Sequence, residues 1–362
     1  MKILIFGFTK LRYMPYMSFY LTGLKNEGHR LHILSWNRDG QDDEQAPEGV
    51  VHHNFQRLLE DEIPKIKKIP AFAAYRKHLI GLIKDEKFDF LISLHTLPGV
   101  LIYKRLENEY KNRFILDYRD FTYENIKPFA KIIKSLAEAS ALTFVSSDRF
   151  RKYLPDIPKI LTSHNIKTED LQYRADLKFK PSENGKIRVC FWGLIRHEHI
   201  NLRIIRMLSP DDRFELHYYG REQETARKLK VFCRENSVKN VFFHGQYSGE
   251  DKYKIAENTD IIHNMYDNGS TEEIALGNKH YDGLLFYLPQ ICFKGSYMGF
   301  LAEKYGIGIS LNPYEEGFAN KLWEYYNSLD KEVFIKACDK RLLEIMQEYE
   351  KGVRAVKAAL PS

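Results

Sequence analysis

Short runs rich in β-branched and aromatic residues alternate with amphipathic segments along the whole chain, and this alternation leaves few architectures open. A parallel strand partner is reached through a crossover, so strands separated by helices build parallel sheets with helices over both faces. In the first half the runs are Lys2–Phe6, Arg30–Ser35, Val50–Phe55, Phe88–Leu94, Arg113–Leu116, Leu142–Val145 and Lys159–Thr162. Amphipathic segments lie around Met14–Asn26, Gly99–Tyr110, Lys127–Ala139 and Asp148–Tyr153. The polar stretch 167–186, ending in a turn-like Ser-Glu-Asn-Gly, reads as a linker. Alternation then restarts with KIRVCFWGL, RFELHYYG, NVFFHG, DIIHNMY, LPQICF and IGISL, and closes in a helical segment from Lys331 to about Leu360. The expectation is an α/β chain of two Rossmann-like, doubly wound domains. These are residues 1–166 and 187–345, joined by 167–186, with a C-terminal helix at 346–362 able to pack back on the first domain. Ligands of such sheets bind at the carboxyl ends of the strands, so the two domains are expected to face each other across a cleft holding the active site.

At 362 residues each half can hold a core, and 44% hydrophobic with 29% charged residues excludes a disordered chain. No run approaches about 18 apolar residues, so no transmembrane helix is expected. The start, MKILIFGFTK, reads as a first buried strand rather than a secretory signal. Cys190, Cys233, Cys292 and Cys338 are 43, 59 and 46 positions apart with no CxxC pair, the pattern of buried reduced thiols in a cytoplasmic protein. The net charge of +6 lies wholly in the first half, where residues 1–165 carry 26 basic and 20 acidic side chains. Within it, residues 63–84 hold six Lys or Arg and no acid, interleaved with Ile, Phe, Leu and Tyr. Such a stretch suits the surface of an anionic membrane, and equally an ordinary helix with solvated lysines. No nucleic-acid recognition motif accompanies it, so no nucleic-acid partner is expected.

Glycine fingerprints for nicotinamide, flavin or P-loop nucleotide sites are absent, as are Asp-x-Asp and the GxSxG elbow. Phosphate chemistry would therefore fall to helix amino ends and cationic side chains. Two regions supply these. Gly193 and Arg196 follow the strand ending at Trp192, and Arg196 offers a bidentate fork for phosphate oxygens. Gly277 and Asn278 precede a helix whose first turn holds Lys279, with Asp282 one turn on to accept from sugar hydroxyls. The cluster His197, Glu198 and His199 is not read as a metal site, because residues i and i+2 point to different faces of a helix.

The Gly277-Asn-Lys-His-Tyr-Asp282 helix ending in Leu-Pro-Gln-Ile, preceded by Phe191-Trp-Gly-Leu-Ile-Arg196 and by Val241-Phe-Phe-His-Gly-Gln, resembles the bacterial glycosyltransferases of the GT-B fold, in particular the retaining family 4 and its polysaccharide-assembly relatives. The resemblance implies a nucleotide-diphosphate sugar held by the C-terminal domain, with Arg196 and Lys279 on the diphosphate. The family's lysine five residues after that arginine is Asn201 here. Its Glu, seven residues, Glu motif is degenerate: Asp282 stands for the ribose-binding member, and the nearest acids to the other position are Glu272 and Glu273. In the first domain, His95 after Asp89-Phe-Leu-Ile-Ser-Leu matches a histidine placed near the reacting sugar. Asp117-Tyr-Arg-Asp120 resembles an acceptor-side segment, bringing in Arg119 and Asp120, and the loop holding Gly7 and Lys10 is the counterpart of the family's first glycine-containing loop.

The resemblance therefore implies a glycosyltransferase transferring a sugar to a glycan or lipid-linked acceptor with retention, without cofactor or metal; the cysteine pattern adds a cytoplasmic location, and the 63–84 stretch, in its membrane reading, the inner face of the membrane. The enzyme's chief task is to stabilise charge on the departing diphosphate. Two other readings stay open: a nucleotide-sugar epimerase of the same fold, and a non-catalytic subunit of a glycan-assembly complex. Residue by residue the plainer roles stay open too. His95 also suits a partly buried structural histidine, Arg196 a surface ion pair, Asp282 a solvated helix residue, and Arg119 and Asp120 an internal ion pair.

Overall fold

The computed structural model describes residues 1–25, 27–41, 44–60, 63–176, 185–249, 251–266 and 274–361. The chain forms two compact units, Met1–Asn165 with Met346–Ser362, and Ile166–Ile345.

The first unit is a seven-stranded parallel sheet: β1 (Lys2–Phe6), β2 (Arg30–Asn37), β3 (Val50–Gln56), β4 (Phe90–Leu94), β5 (Phe114–Tyr118), β6 (Leu142–Val145) and β7 (Ile160–Thr162). They lie in the order β3-β2-β1-β4-β5-β6-β7. Its helices are α1 (Met17–Leu24), α2 (Lys65–Glu86), α3 (Thr96–Leu101), α4 (Tyr103–Glu109) and α5 (Lys127–Ala139). Central strands such as β1 and β4 are buried on both faces, which is why they read as unbroken apolar runs. Helix α2 docks through one residue per turn, Ala71, Tyr75, Leu79 and Ile83. Tyr75 stacks on Trp36 at 5.2 Å and its hydroxyl donates to the Gly7 carbonyl at 2.8 Å. So narrow a stripe escapes a search for a broad apolar face.

The second unit has six parallel strands: β8 (Ile187–Trp192), β9 (Phe214–Tyr219), β10 (Val241–Gly245), β11 (Ile261–Asn264), β12 (Gln290–Phe293) and β13 (Gly308–Leu311), ordered β10-β9-β8-β11-β12-β13. Helices α6 (Glu198–Leu208), α7 (Glu224–Glu235), α8 (Lys252–Glu257), α9 (Asn278–Leu285), α10 (Tyr297–Tyr305) and α11 (Phe318–Asn327) connect them. The stretch that composition marks as a linker opens with a 3-10 helix, Thr168–Asp176, inside this unit, where Arg174 lies 3.9 Å over the Tyr287 ring. The last helix, α12 (Lys331–Ala358), begins here and ends in the first unit. There Gly352 meets Phe19 so closely that a Cβ would sit 2.7 Å from the ring, and Glu348 bonds His164 at 2.9 Å. All four cysteines are buried and free.

Neutral histidine pairs close the outer strands of both sheets. His32 Nδ1 lies 2.8 Å from His53 Nε2 across β2 and β3, and His217 Nδ1 lies 3.0 Å from His244 Nε2 across β9 and β10. In each pair one ring donates to the other, and charging both rings would set two cations side by side. Burial, then His53, holds His32 down to about 4; burial, then His244, lowers His217. Unfolded histidine protonates near 6.5. Because the folded values are depressed, this stability is complete above 6.5 and is lost as pH falls through it toward the folded value. The urea midpoint should drop between about pH 7.5 and about pH 5, and His53→Gln should flatten part of the drop. A wild-type midpoint constant over that range would contradict the assignment.

Candidate functional site

In the second unit the strand order reverses between β8 and β11; Arg196 follows β8, and Lys279 lies in the first turn of α9, the next helix after β11. Gly193 follows β8 with φ +110°, a backbone state that favours glycine, and packs so close to Gly220 that a Cβ on Gly220 would lie 1.7 Å from the Gly193 carbonyl oxygen. This tight exit delivers Arg196 to the surface, its side chain exposed and without a carboxylate partner among the described residues. Asn201, where the resembling family has lysine, is buried in α6. Its side-chain amide donates to the carbonyls of Arg196 and His197 at 2.8 and 2.9 Å. It braces the loop rather than supplying a charge.

Gly277 is the N-cap of α9 and brings no side chain to that end, and Asn278 is exposed at its first position. Lys279 behind it is 5% exposed, with Nζ 3.6 Å from the Phe191 ring centre and 4.5 Å from that of Tyr266. No carboxylate pairs with it among the described residues. Removing an ammonium from water costs several kcal/mol, whereas cation–π contacts return up to about 2 kcal/mol, so the rings alone do not balance its burial. Burial, with the Arg196 charge adding to it, pushes the amine well below the usual lysine range. His263, on β11, is equally buried. Its Nδ1 accepts from the Met265 amide at 3.2 Å, which leaves the proton on Nε2, an atom with no hydrogen-bond partner among the described residues. Burial, then the charges of Lys279 and His197, hold it neutral, down to about 3. Asp282, one turn further along α9, is itself buried and paired with Lys252 at 2.5 Å, which stands 3.5 Å from Asp170. It is thus a held carboxylate rather than a solvated one. Glu272 and Glu273 lie outside the described residues.

In the first unit the reversal falls between β1 and β4. His95 ends β4 at φ 67°, ψ 162°, a region that costs a non-glycine residue about 1–3 kcal/mol. Its ring is hydrogen-bonded to the Tyr16 hydroxyl and lies 4.0 Å from the exposed Asp120 carboxylate. Burial keeps the ring neutral, against the pull of Asp120 and Asp117. Burial also holds the Tyr16 hydroxyl protonated, so it can donate to the imidazole. Arg119 is not an open cation. It is buried against Asp117 at 2.7 Å, bonds Ser163 at 2.7 Å and Asn165, and lies 4.0 Å over the Tyr16 ring. Lys10 is likewise buried, paired with Asp39 and donating to the Gln41 carbonyl at 2.9 Å. Gly7 makes room for Met14, whose sulfur would be 2.3 Å from a Cβ there. Of the first-unit residues singled out in the sequence, His95 and Asp120 come together; Arg119, Lys10 and Gly7 support the loops around them.

Tyr16, His263, Tyr266 and Lys252 were missed by sequence reasoning. Asp117 and Arg119 could have been recognised as a pair, because positions i and i+2 at a strand end share a face. Nothing in one sequence marks Tyr16 or His263.

The chain matches no protein-family model and no curated protein. Among solved structures it resembles a glycosyltransferase from Rickettsia africae ESF-5, with TM-score 0.68, 16% identity, and coverage of 100% of this chain and 99% of that one. A sucrose-phosphate synthase from Thermosynechococcus elongatus gives 0.68 at 11% identity over 99% and 94% of the two chains. A UDP-N-acetylglucosamine 2-epimerase from Rickettsia bellii gives 0.61 at 13% over 97% of each. At such identities the likeness shows the fold: two Rossmann-like α/β units of the GT-B class.

Arg119→Ala would leave the buried Asp117 carboxylate without its counterion, a change expected to cost about 3–5 kcal/mol. Urea unfolding of the variant measures it; a loss under about 1 kcal/mol, the size of a surface ion pair, would contradict a structural role for this pair.

Proposed function

We propose that this protein is a glycosyltransferase whose donor is a nucleotide-diphosphate sugar. One observation carries the reading: Lys279, a buried amine without a carboxylate partner among the described residues, sits beside the amino end of α9 and the open Arg196, where the strand order reverses. An anion with more than one charge balances this arrangement, and a diphosphate also accepts from the first amides of the helix. As the glycosyl–oxygen bond breaks, negative charge grows on the diphosphate, and fixed donors already aimed at it stabilise the transition state more than the ground state. Asp282, held by Lys252, is the group placed to accept from ribose hydroxyls. In the first unit His95, neutral and bonded to Tyr16, orients the transferred sugar, with Asp120 at its exposed side. Transfer with retention to a glycan or lipid-linked acceptor, inside the cell, completes the reading.

No helix among the described residues is long and apolar enough to cross a membrane. A peripheral surface is a different matter. At the start of α2, Ile66 is 74% and Ile69 58% exposed beside Lys67 and Lys68, and Leu58 is 72% exposed. These residues are the ones we assign to an anionic bilayer. The epimerase reading is kept for one reason, the His95–Asp120 juxtaposition at 4.0 Å, which could exchange a proton. It predicts donor turnover without acceptor.

Thermal-shift titration with UDP-, GDP-, ADP- and CMP-sugars tests the donor site. At 100 times its dissociation constant a bound ligand adds about 2.7 kcal/mol. One diphosphate donor should raise the melting temperature, and Arg196→Ala and Lys279→Met should each remove the shift; affinity unchanged in both variants would place the diphosphate elsewhere. In flotation assays the protein should rise with anionic vesicles and not with neutral ones, and Lys67→Glu with Ile69→Asp should abolish recovery. Equal recovery on both vesicle types would remove the electrostatic membrane assignment.

A further inference from the structure

The surroundings of Lys279 bear on the protonation of the site as well as on its ligand. Among the described residues, the groups around the amine come from several elements. From β8 comes the Phe191 ring at 3.6 Å, and from the end of β11 the Tyr266 ring at 4.5 Å. The loop before α6 brings the Arg196 charge, and β11 brings His263, a neutral imidazole. From β12 comes Cys292, a buried thiol held protonated by burial, up to about 12. From its own helix comes Asp282, whose charge is already engaged by Lys252 at 2.5 Å. Of these described neighbours one is a cation, four are neutral groups that cannot replace water around an ammonium, and the carboxylate is already shared. His197 completes the wall, its ring 5.2 Å from that of Tyr266.

An amine in that environment has two states of nearly opposite preference. With the site empty, the second positive charge lies against Arg196 without a counterion, and the uncharged form is favoured. With a diphosphate present, the ammonium gains an ion pair in a dry setting, and the charged form is favoured. We propose that Lys279 is an uncharged amine in the empty protein and takes up one proton together with the incoming diphosphate, so that donor binding is proton-coupled. The proposal rests on the donor reading above. It goes beyond it by assigning the site a built-in pH response: affinity is greatest where protons are available and falls on the alkaline side. The fall approaches tenfold per pH unit once the solution passes the midpoint of the free amine, since one proton is bound per ligand. It also accounts for lysine rather than arginine at this position, because a guanidinium never gives up its proton in the empty site.

Two measurements test it, and they separate its failure from that of the donor assignment. Lysines labelled with 13C at Cε report their protonation directly, and the Lys279 signal is identified by its loss in Lys279→Arg. In the free wild-type protein at about pH 8.5, some two units below an ordinary lysine midpoint, this signal should be that of a neutral amine while surface lysines show ammonium. An ammonium signal for Lys279 there overturns the proposal and leaves the donor assignment standing. Calorimetric titration with UDP-, GDP- and ADP-glucose, in two buffers of different ionisation enthalpy, should give proton uptake that rises toward one per ligand as pH increases. Binding with no uptake at any pH overturns the coupling. No binding by any of the three overturns the donor assignment and the coupling with it, whatever the Lys279 resonance shows.

Discussion

Both units depend on the same constraint: parallel strands joined by right-handed crossovers fill a sheet outward from its first strand, in one direction and then the other. Where the direction changes, the loops leaving two adjacent strands turn apart, and the carboxyl edge is left without backbone to cover it. The change falls between β1 and β4 in one sheet and between β8 and β11 in the other. His95 ends one of these strands, while Gly193 and Arg196 follow another, and the loop after β11 leads to Lys279. The chemistry-bearing residues are thus set by topology first and by local sequence second.

The two notches use charge differently, and the difference separates support from function. In the first unit the buried cations are neutralised on the spot, Arg119 by Asp117 and Lys10 by Asp39. Their energy goes into fixing loops, and through the Tyr16 ring Arg119 fixes the partner of His95. Lys279 in the second unit packs on rings and has no carboxylate ion pair among the described residues. Burying an amine without a counterion disfavours its charged form, and such a site is poised to gain from an anionic ligand. The strained backbone of His95 points the same way, since strain persists where surrounding contacts hold it and serves to aim a side chain.

Much of this was legible in the sequence. Strand positions followed from apolar runs between helical segments, and β1, β6 and the helix Lys127–Ala139 match residue for residue. Gly193 with Arg196, and Gly277 with Lys279, stood out because each lies just after a strand or at a helix start, where position alone implies exposure to a ligand. What failed to show was pairing across the chain. Arg119 reads as an acceptor-side cation until Ser163 and Asn165, some forty positions away, are seen bonded to it. Asp282 reads as a free carboxylate until Lys252 is found on it. The α2 helix was legible only as one of two readings of residues 63–84, because its buried stripe is one residue wide while Ile66 and Ile69 face outward.

The most direct measurement of the central claim is amide hydrogen exchange with and without a sugar nucleotide. The amides of 193–201 and those opening α9, from Asn278 onward, should slow when the diphosphate is bound, and Lys279→Met should erase the protection at both. Protection confined to other segments, or surviving unchanged in Lys279→Met, would show that the anion is held somewhere else.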